Sequence, residues 1–196
     1  MYALYVTHPQ VDQDPAVPVP EWRLSALGRK RMAAFAARPV VQDLGHIIAS
    51  AETKAVEAAG ILAAAAGRGF EIVAETHEND RSATGYLAGA DFEAARLAFL
   101  GQPDVSYRGW ERAEDAQARI VKAVQSVLAL RRWKRPIAFV GHGAVGTLLK
   151  CHLKGVAIGA DEDQPAGGGN IFCFSLSDGG LLCDWTPMER WEGWPK

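Results

Sequence analysis

Two histidines occupy matching surroundings, His8 in LYVTHP and His142 in AFVGHG, each directly after a short apolar run. An imidazole with an ordinary pKa near ~6.5 is largely neutral at neutral pH. Its nitrogen lone pair is then available as a nucleophile, as phosphoryl transfer to nitrogen requires. A second imidazole, when protonated, can neutralise charge on the group in transfer. Two other apolar runs end in residues of useful chemistry: Ser50 with Lys54 one turn on, and His77 with Glu78. Ligands in open α/β sheets bind outside the carboxyl ends of the strands, so side chains at those ends are the ones able to converge. Two histidines, a lysine, a carboxylate and a hydroxyl on one rim make a pocket for an anion together with acid–base chemistry. Glu78, if burial or a nearby anion raises its pKa, can protonate a leaving oxygen and then activate water.

The elements that must position these groups follow from periodicity. Ala3 to Val6 reads as a buried strand ending at His8, where Pro9 discourages continuation. After a loop containing Pro15, Pro18 and Pro20, Ser25 is an N-cap for a helix from Ala26 to Arg38 that Pro39 stops. Ile47 to Ala49 is a second strand, followed by an alanine-rich helix from about Thr53 to Ala66 that closes at Gly67. Phe70 to Ala74 reads as a third strand, and Asp91 to Leu100 as a short helix. A long helix is expected from about Glu111 to Arg132, with Ala118, Val121, Val124 and Leu128 on its apolar face. Ile137 to Val140 is the clearest strand, and a helix from about Ala144 to Lys154 ends at Gly155. The last stretch differs: Asn170 to Leu176 and Leu181 to Trp185 flank a hairpin-turn composition. The expected fold class is therefore α/β with three α/β/α layers, a mostly parallel sheet and late antiparallel strands.

The whole chain sets further bounds. Its 196 residues show no linker-like break, so residues 1–196 read as one domain. With 48% apolar and 22% charged residues it has the composition of a soluble globular protein. A net charge of -2 without a long basic stretch argues against a nucleic-acid partner. No apolar stretch reaches membrane-spanning length and the N-terminus lacks a basic leader, so a cytoplasmic location and no membrane partner are expected. Cys151, Cys173 and Cys183 lack CxxC spacing and read as reduced buried thiols rather than a disulfide framework or zinc site. A metal hydrolase built on His8 and His142 finds no HxH, HxxxH or HExxH spacing, so neither a metal nor an organic cofactor is implied. Ser50 lies in no GxSxG elbow and reads as an N-cap. His46 and His152 read as structural, and His77 is balanced between the two roles.

With these residues in place, the chain resembles the histidine phosphatases related to phosphoglycerate mutase. The resemblance spans most of the sequence and rests on the first strand with its histidine, WRLSALGRKRM at Trp22 to Met32, SAETKAVEAA at Ser50 to Ala59, and GHGAVGTLLKCHL at Gly141 to Leu153. It implies a phosphoglycerate mutase-like fold, His8 as the phosphorylated nucleophile, His142 as the second pocket histidine and Glu78 as the acid–base carboxylate. The family triplet Arg-His-Gly is here Thr7-His8-Pro9, which removes a guanidinium and a backbone N–H. The second family arginine falls on Lys54, which keeps the charge but not the bidentate fork. Arg81 in HENDRSATG and Arg23 beside the first loop are the candidates to fill the vacated place, and Thr7 is either a hydroxyl donor to phosphate or a packing residue. The reading is a phosphomonoester hydrolase with a small phosphorylated substrate or inorganic phosphate as partner. The alternative is a phosphate- or metabolite-binding pseudoenzyme of the same fold. Mutase activity is disfavoured, because Asn79 to Arg112 leaves little room for an elaborate lid over the pocket.

Overall fold

The computed structural model describes residues 1–130 and 133–194. Its strands are β1 (Tyr2–Thr7), β2 (His46–Ala49), β3 (Glu71–Ile72), β4 (Ile137–Gly141), β5 (Asn170–Ser175) and β6 (Leu181–Pro187). Its helices are α1 (Ala26–Ala36), α2 (Pro39–Gln42), α3 (Thr53–Ala66), α4 (Gly89–Gly101), α5 (Ala113–Ala129) and α6 (Gly143–Lys154). One sheet runs in the order β3-β2-β4-β1-β5-β6. The first four strands are mutually parallel, while β5 is antiparallel to β1 and to β6.

Strand periodicity builds the three layers. Leu4, Val6, Ile47, Ala49, Ala138, Val140, Ile171 and Cys173 face a core closed by Met32 and Phe35 of α1, Val41 of α2, and Ala58 and Leu62 of α3. The alternate residues Ala3, Tyr5, Ile48, Ile137, Phe139, Phe172 and Phe174 face a second core closed by Phe99 of α4, Ile120 and Val124 of α5, and Leu148 of α6. Both faces are covered, which is why the central strands read as continuous apolar runs rather than alternating ones.

Several boundaries differ from expectation. The third strand shrinks to Glu71–Ile72, because it pairs only with β2 at the sheet edge and its residues stay exposed; the chain then turns through a 3₁₀ segment, Ala74–Thr76. Pro39 does end the first helix region, yet it also opens α2, since its fixed φ suits a first helical position where no N–H is needed. The fifth helix starts at Ala113 rather than Glu111, and the expected end at Arg132 lies outside the described residues. Ser25 caps α1 by accepting from Gly28 N–H at 3.1 Å. Gly67 and Gly155 close α3 and α6 at φ 61° and 70°, a conformation that strains any residue with a Cβ. The three cysteines are free thiols, and Cys173 stands opposite Cys183 across β5 and β6. Among the described residues no helix is long and apolar enough to cross a membrane.

Candidate active site

Parallel pairing forces the chemistry together. Thr7 lies beside Gly141, and Ala49 beside Val140, so the residues just past three adjacent strands are His8, His142 and Ser50. The rings of His8 and His142 meet edge to face, with centroids 5.3 Å apart and planes at 68°.

His8 is fixed at both backbone ends: its N–H donates to Gly141 O at 2.9 Å, and its carbonyl accepts from Gly169 N–H at 3.1 Å. Its Nδ1 donates to Pro9 O at 2.8 Å, and because a carbonyl can only accept, the proton is on Nδ1 and the lone pair on Nε2. Burial, helped by the Lys54 charge, holds its pKa down to about 4. The resting ring is therefore a neutral nucleophile with its protonation site chosen.

His142 is fully buried at the N-cap of α6. Tyr5 Oη grips its backbone, accepting from the N–H at 3.2 Å and donating to the carbonyl at 3.1 Å. That grip needs glycine at 141 and 146, where an added Cβ would come within 2.5 Å of Tyr5. The ring Nε2 is hydrogen-bonded to Ser50 Oγ at 2.8 Å and lies 3.6 Å from Glu52 Oε1, while Nδ1 has no partner among the described residues. Burial pushes this imidazole well below its ordinary pKa, against the pull of Glu52, so it too rests neutral.

Glu78 faces the N-terminus of α6. Its carboxylate accepts from Val145 N–H at 3.1 Å, Ala144 N–H at 3.3 Å and Asn79 N–H at 3.1 Å. Burial nonetheless raises its pKa, with Arg81 opposing. Arg119 of α5 sets the height of this segment, donating to Glu75 O at 2.8 Å and His77 O at 2.9 Å while paired with Glu111 at 2.7 Å. His77 turns aside: its Nδ1 donates to Glu78 O at 2.6 Å, and it faces a neighbouring cavity walled by the loop from Pro15 to Pro20.

His8, Lys54, Glu78, Asn79, Arg81 and Gln164 line one cleft of about 690 Å³. Lys54 enters from the first turn of α3, with its ammonium paired to the Glu52 carboxylate and donating to Val19 O at 2.7 Å. Arg81 lies over the Phe92 ring at 5.2 Å, with no carboxylate in ion-pair range among the described residues. Roof residues Phe92, Arg96, Phe99 and Trp110 come from the expected segment between Asn79 and Arg112.

Two expected phosphate ligands are elsewhere. Arg23 is exposed and pairs with Glu57 at 3.3 Å, outside the cleft lining, because Glu57 on α3 also anchors Leu24 N–H and Arg29 on that surface. Thr7 is fully buried, and its hydroxyl is already used: it accepts from Asn170 N–H at 2.9 Å and donates its one proton to Gln164 Oε1 at 3.0 Å. Glu52, Asn79, Gln164 and Tyr5 are site residues that sequence reasoning missed. Among them only Glu52, two positions before Lys54 at a helix start, left a readable signal. Among the described residues no group of three or more His, Cys, Asp or Glu side chains is arranged to hold a metal ion.

A family model described as the histidine phosphatase superfamily (branch 1) matches residues 8–183. The chain belongs to the histidine phosphatase superfamily. No curated protein matches it. Among solved structures it is similar to a mycobacterial glucosyl-3-phosphoglycerate phosphatase, with a TM-score of 0.77 at 20% identity over 95% of this chain and 98% of that one. The same mycobacterial enzyme in complex with inorganic phosphate matches with a TM-score of 0.77 at 20% identity, covering 93% of this chain and 95% of that one. YhfR from Bacillus stearothermophilus matches with a TM-score of 0.79 at 18% identity, covering 95% and 98% respectively. At such identities these likenesses establish a shared histidine phosphatase fold.

Proposed function

We propose that the chain is a phosphomonoester hydrolase that works through a phosphohistidine on His8. The observation that carries this reading is the free Nε2 lone pair of His8, tautomer-fixed by Pro9, with the buried His142 ring packed edge to face against it at 5.3 Å. Family membership and the phosphate complex of the mycobacterial relative point the same way. In the first step Nε2 attacks phosphorus, the ester P–O bond breaks, and Glu78 in its acid form, which burial favours, gives its proton to the leaving oxygen. In the second step the Glu78 carboxylate takes a proton from water, whose oxygen attacks phosphorus as the P–N bond breaks. Inorganic phosphate leaves and His8 returns to its starting state. Lys54 and Arg81 hold the phosphoryl oxygens, and the anion raises the proton affinity of His142, whose Nδ1 is otherwise unpartnered. Hydrolysis is favoured over mutase chemistry because the roof is a single short segment with little capacity to retain a doubly phosphorylated intermediate.

The test is incubation with an aryl phosphate, with and without chelator, followed by mapping of phosphorylated residues. An acid-labile, base-stable adduct on His8, absent from His8→Gln and indifferent to chelator, is expected. Neither product nor adduct, or activity that dies with chelator, overturns the reading.

A further inference from the structure

A loop with no repeating pattern, Asp163 to Gly168, lines the same cleft as Glu78, and the orientation of one side chain on it can be deduced atom by atom. Asn170 Nδ2 lies 2.8 Å from Pro165 O, and a carbonyl only accepts, so that atom is the amide nitrogen. The same nitrogen lies 3.0 Å from Gln164, so the Gln164 atom facing it is Oε1. Thr7 Oγ1 accepts from Asn170 N–H, and of the two acceptors within reach of its own proton Gln164 Oε1 at 3.0 Å is nearer than Asn170 O at 3.4 Å. Two donors thus converge on Oε1, and Nε2 must point the other way.

It points over the start of α6. An added Cβ on Gly143 would lie 2.0 Å from Gln164 Nε2, so only glycine leaves room for it there. The loop is held from behind as well: Asp163 accepts from Gln164 N–H at 2.7 Å, from Thr147 Oγ1 at 2.9 Å and from Arg96 at 2.5 Å. Gly143 N–H is at the first position of α6, where no intrahelical acceptor exists, and it has no partner among the described residues. The next two N–H groups are taken by Glu78. Asn79, only 4% exposed and on the lining of the same cleft, has an amide nitrogen without a partner. Unpartnered buried donors are costly, so donors of this kind on the lining of one cleft favour an acceptor that arrives from outside.

We infer that Gln164, oriented by Thr7, is a phosphoryl-oxygen ligand that acts beside Gly143 N–H on the anion His8 faces. Thr7 is a positioning residue: its hydroxyl never touches the substrate but fixes which end of the Gln164 amide does. The inference rests on the phosphate-site reading of the cleft, and it supplies a neutral donor where Lys54 is already half-compensated by Glu52.

Titration of the full chain with inorganic phosphate tests it separately from turnover. Gln164→Glu keeps an oxygen for Thr7 and Asn170 but replaces the donor by a second acceptor, so phosphate affinity is expected to fall by about 10-fold or more. Gln164→Met gives a loss of similar size without added charge. Thr7→Val is expected to weaken phosphate in the parent chain, Thr7→Ser to restore it, and Thr7→Val in the Gln164→Met background to add nothing. Unchanged phosphate affinity in both Gln164 variants, or an equal Thr7→Val loss in both backgrounds, overturns the inference. A chain that binds phosphate with these dependences but forms no adduct sinks only the hydrolase reading. A chain that takes no phosphate at all sinks both.

Discussion

Glu52 and Lys54 form a buried ion pair beside His8, with 9% and 2% of their surfaces exposed. Burial lowers the Lys54 pKa and the Glu52 charge opposes that fall, so each favours the charged form of the other. Burial alone would raise the Glu52 carboxyl, but the Lys54 charge and the hydrogen bonds from Lys54 and Glu78 N–H hold it below its ordinary value. Removing one member of such a pair strands a buried charge, at a cost of about 3–5 kcal/mol, whereas an apolar pair of similar volume can be nearly neutral. Glu52→Ala is therefore expected to lower the unfolding free energy by about 3 kcal/mol, and Glu52→Leu with Lys54→Met by much less. Urea denaturation of the two variants against the parent chain checks this, and equal losses would show that the pair is not coupled.

That pairing shifts the burden of anion binding to Arg81. Its guanidinium lies over Phe92 with no carboxylate in ion-pair range among the described residues, so it has donors left for a ligand. A charge-assisted hydrogen bond contributes roughly 1.5–3 kcal/mol, which converts to about a 10- to 150-fold loss of phosphate affinity for Arg81→Ala. Arg23→Ala, which removes a surface partner of Glu57, is expected to leave phosphate affinity unchanged. Calorimetric titration of both variants separates them, and an Arg81→Ala chain that binds like its parent would make Arg81 a packing residue.

His8 links acidity to stability. Its pKa in the fold, about 4, lies below the ordinary value near ~6.5, so between those limits the unfolded chain binds a proton that the folded chain refuses. The contribution is fully present above pH ~6.5 and is lost as pH falls toward about 4, by up to about 3 kcal/mol. The stability advantage of the parent over His8→Asn is expected to narrow by that amount between pH 7 and 4. An NMR titration of the ligand-free ring gives the direct reading: a midpoint near the ordinary histidine value would mean that the pocket does not desolvate His8.

Much of this site was legible because strand ends are legible. His8, His142 and Ser50 each follow an apolar run, and parallel pairing of β1, β4 and β2 leaves them no choice but adjacency. Glu78 and Lys54 enter the same cleft from the segments that begin after β3 and β2. Gln164 was not legible, since it sits in a loop whose shape depends on Asn170, Thr7 and Thr147, far apart in the chain. Thr7 stayed open between ligand and packing residue for the same reason: a hydroxyl beside a nucleophile can be either until the residue that takes its proton is known. Arg23 was drawn off by Glu57, a contact between the loop before α1 and the side of α3 that no local pattern encodes. The third strand failed at Val73 because an edge strand with one neighbour has little to prolong it.

Glu78 carries the most demanding prediction, because one carboxyl must serve both steps. Gln in its place keeps a carbonyl oxygen for Val145 and Asn79 N–H and gives up only the longer bond from Ala144 N–H, so the fold and the α6 N-terminus should survive. The amide can neither give a proton to a leaving oxygen nor take one from water. For an alkyl phosphate, whose leaving group needs protonation, turnover by Glu78→Gln is expected to fall by about 10²- to 10⁴-fold. For an aryl phosphate with an acidic phenol the first step proceeds with little help, but water still lacks its base, so the phosphohistidine should accumulate. Intact mass measured during the reaction is expected to show a larger phosphorylated fraction in Glu78→Gln than in the parent chain. Equal losses on alkyl and aryl substrates with no accumulated adduct would remove Glu78 from the proton path and leave it as a cap on α6.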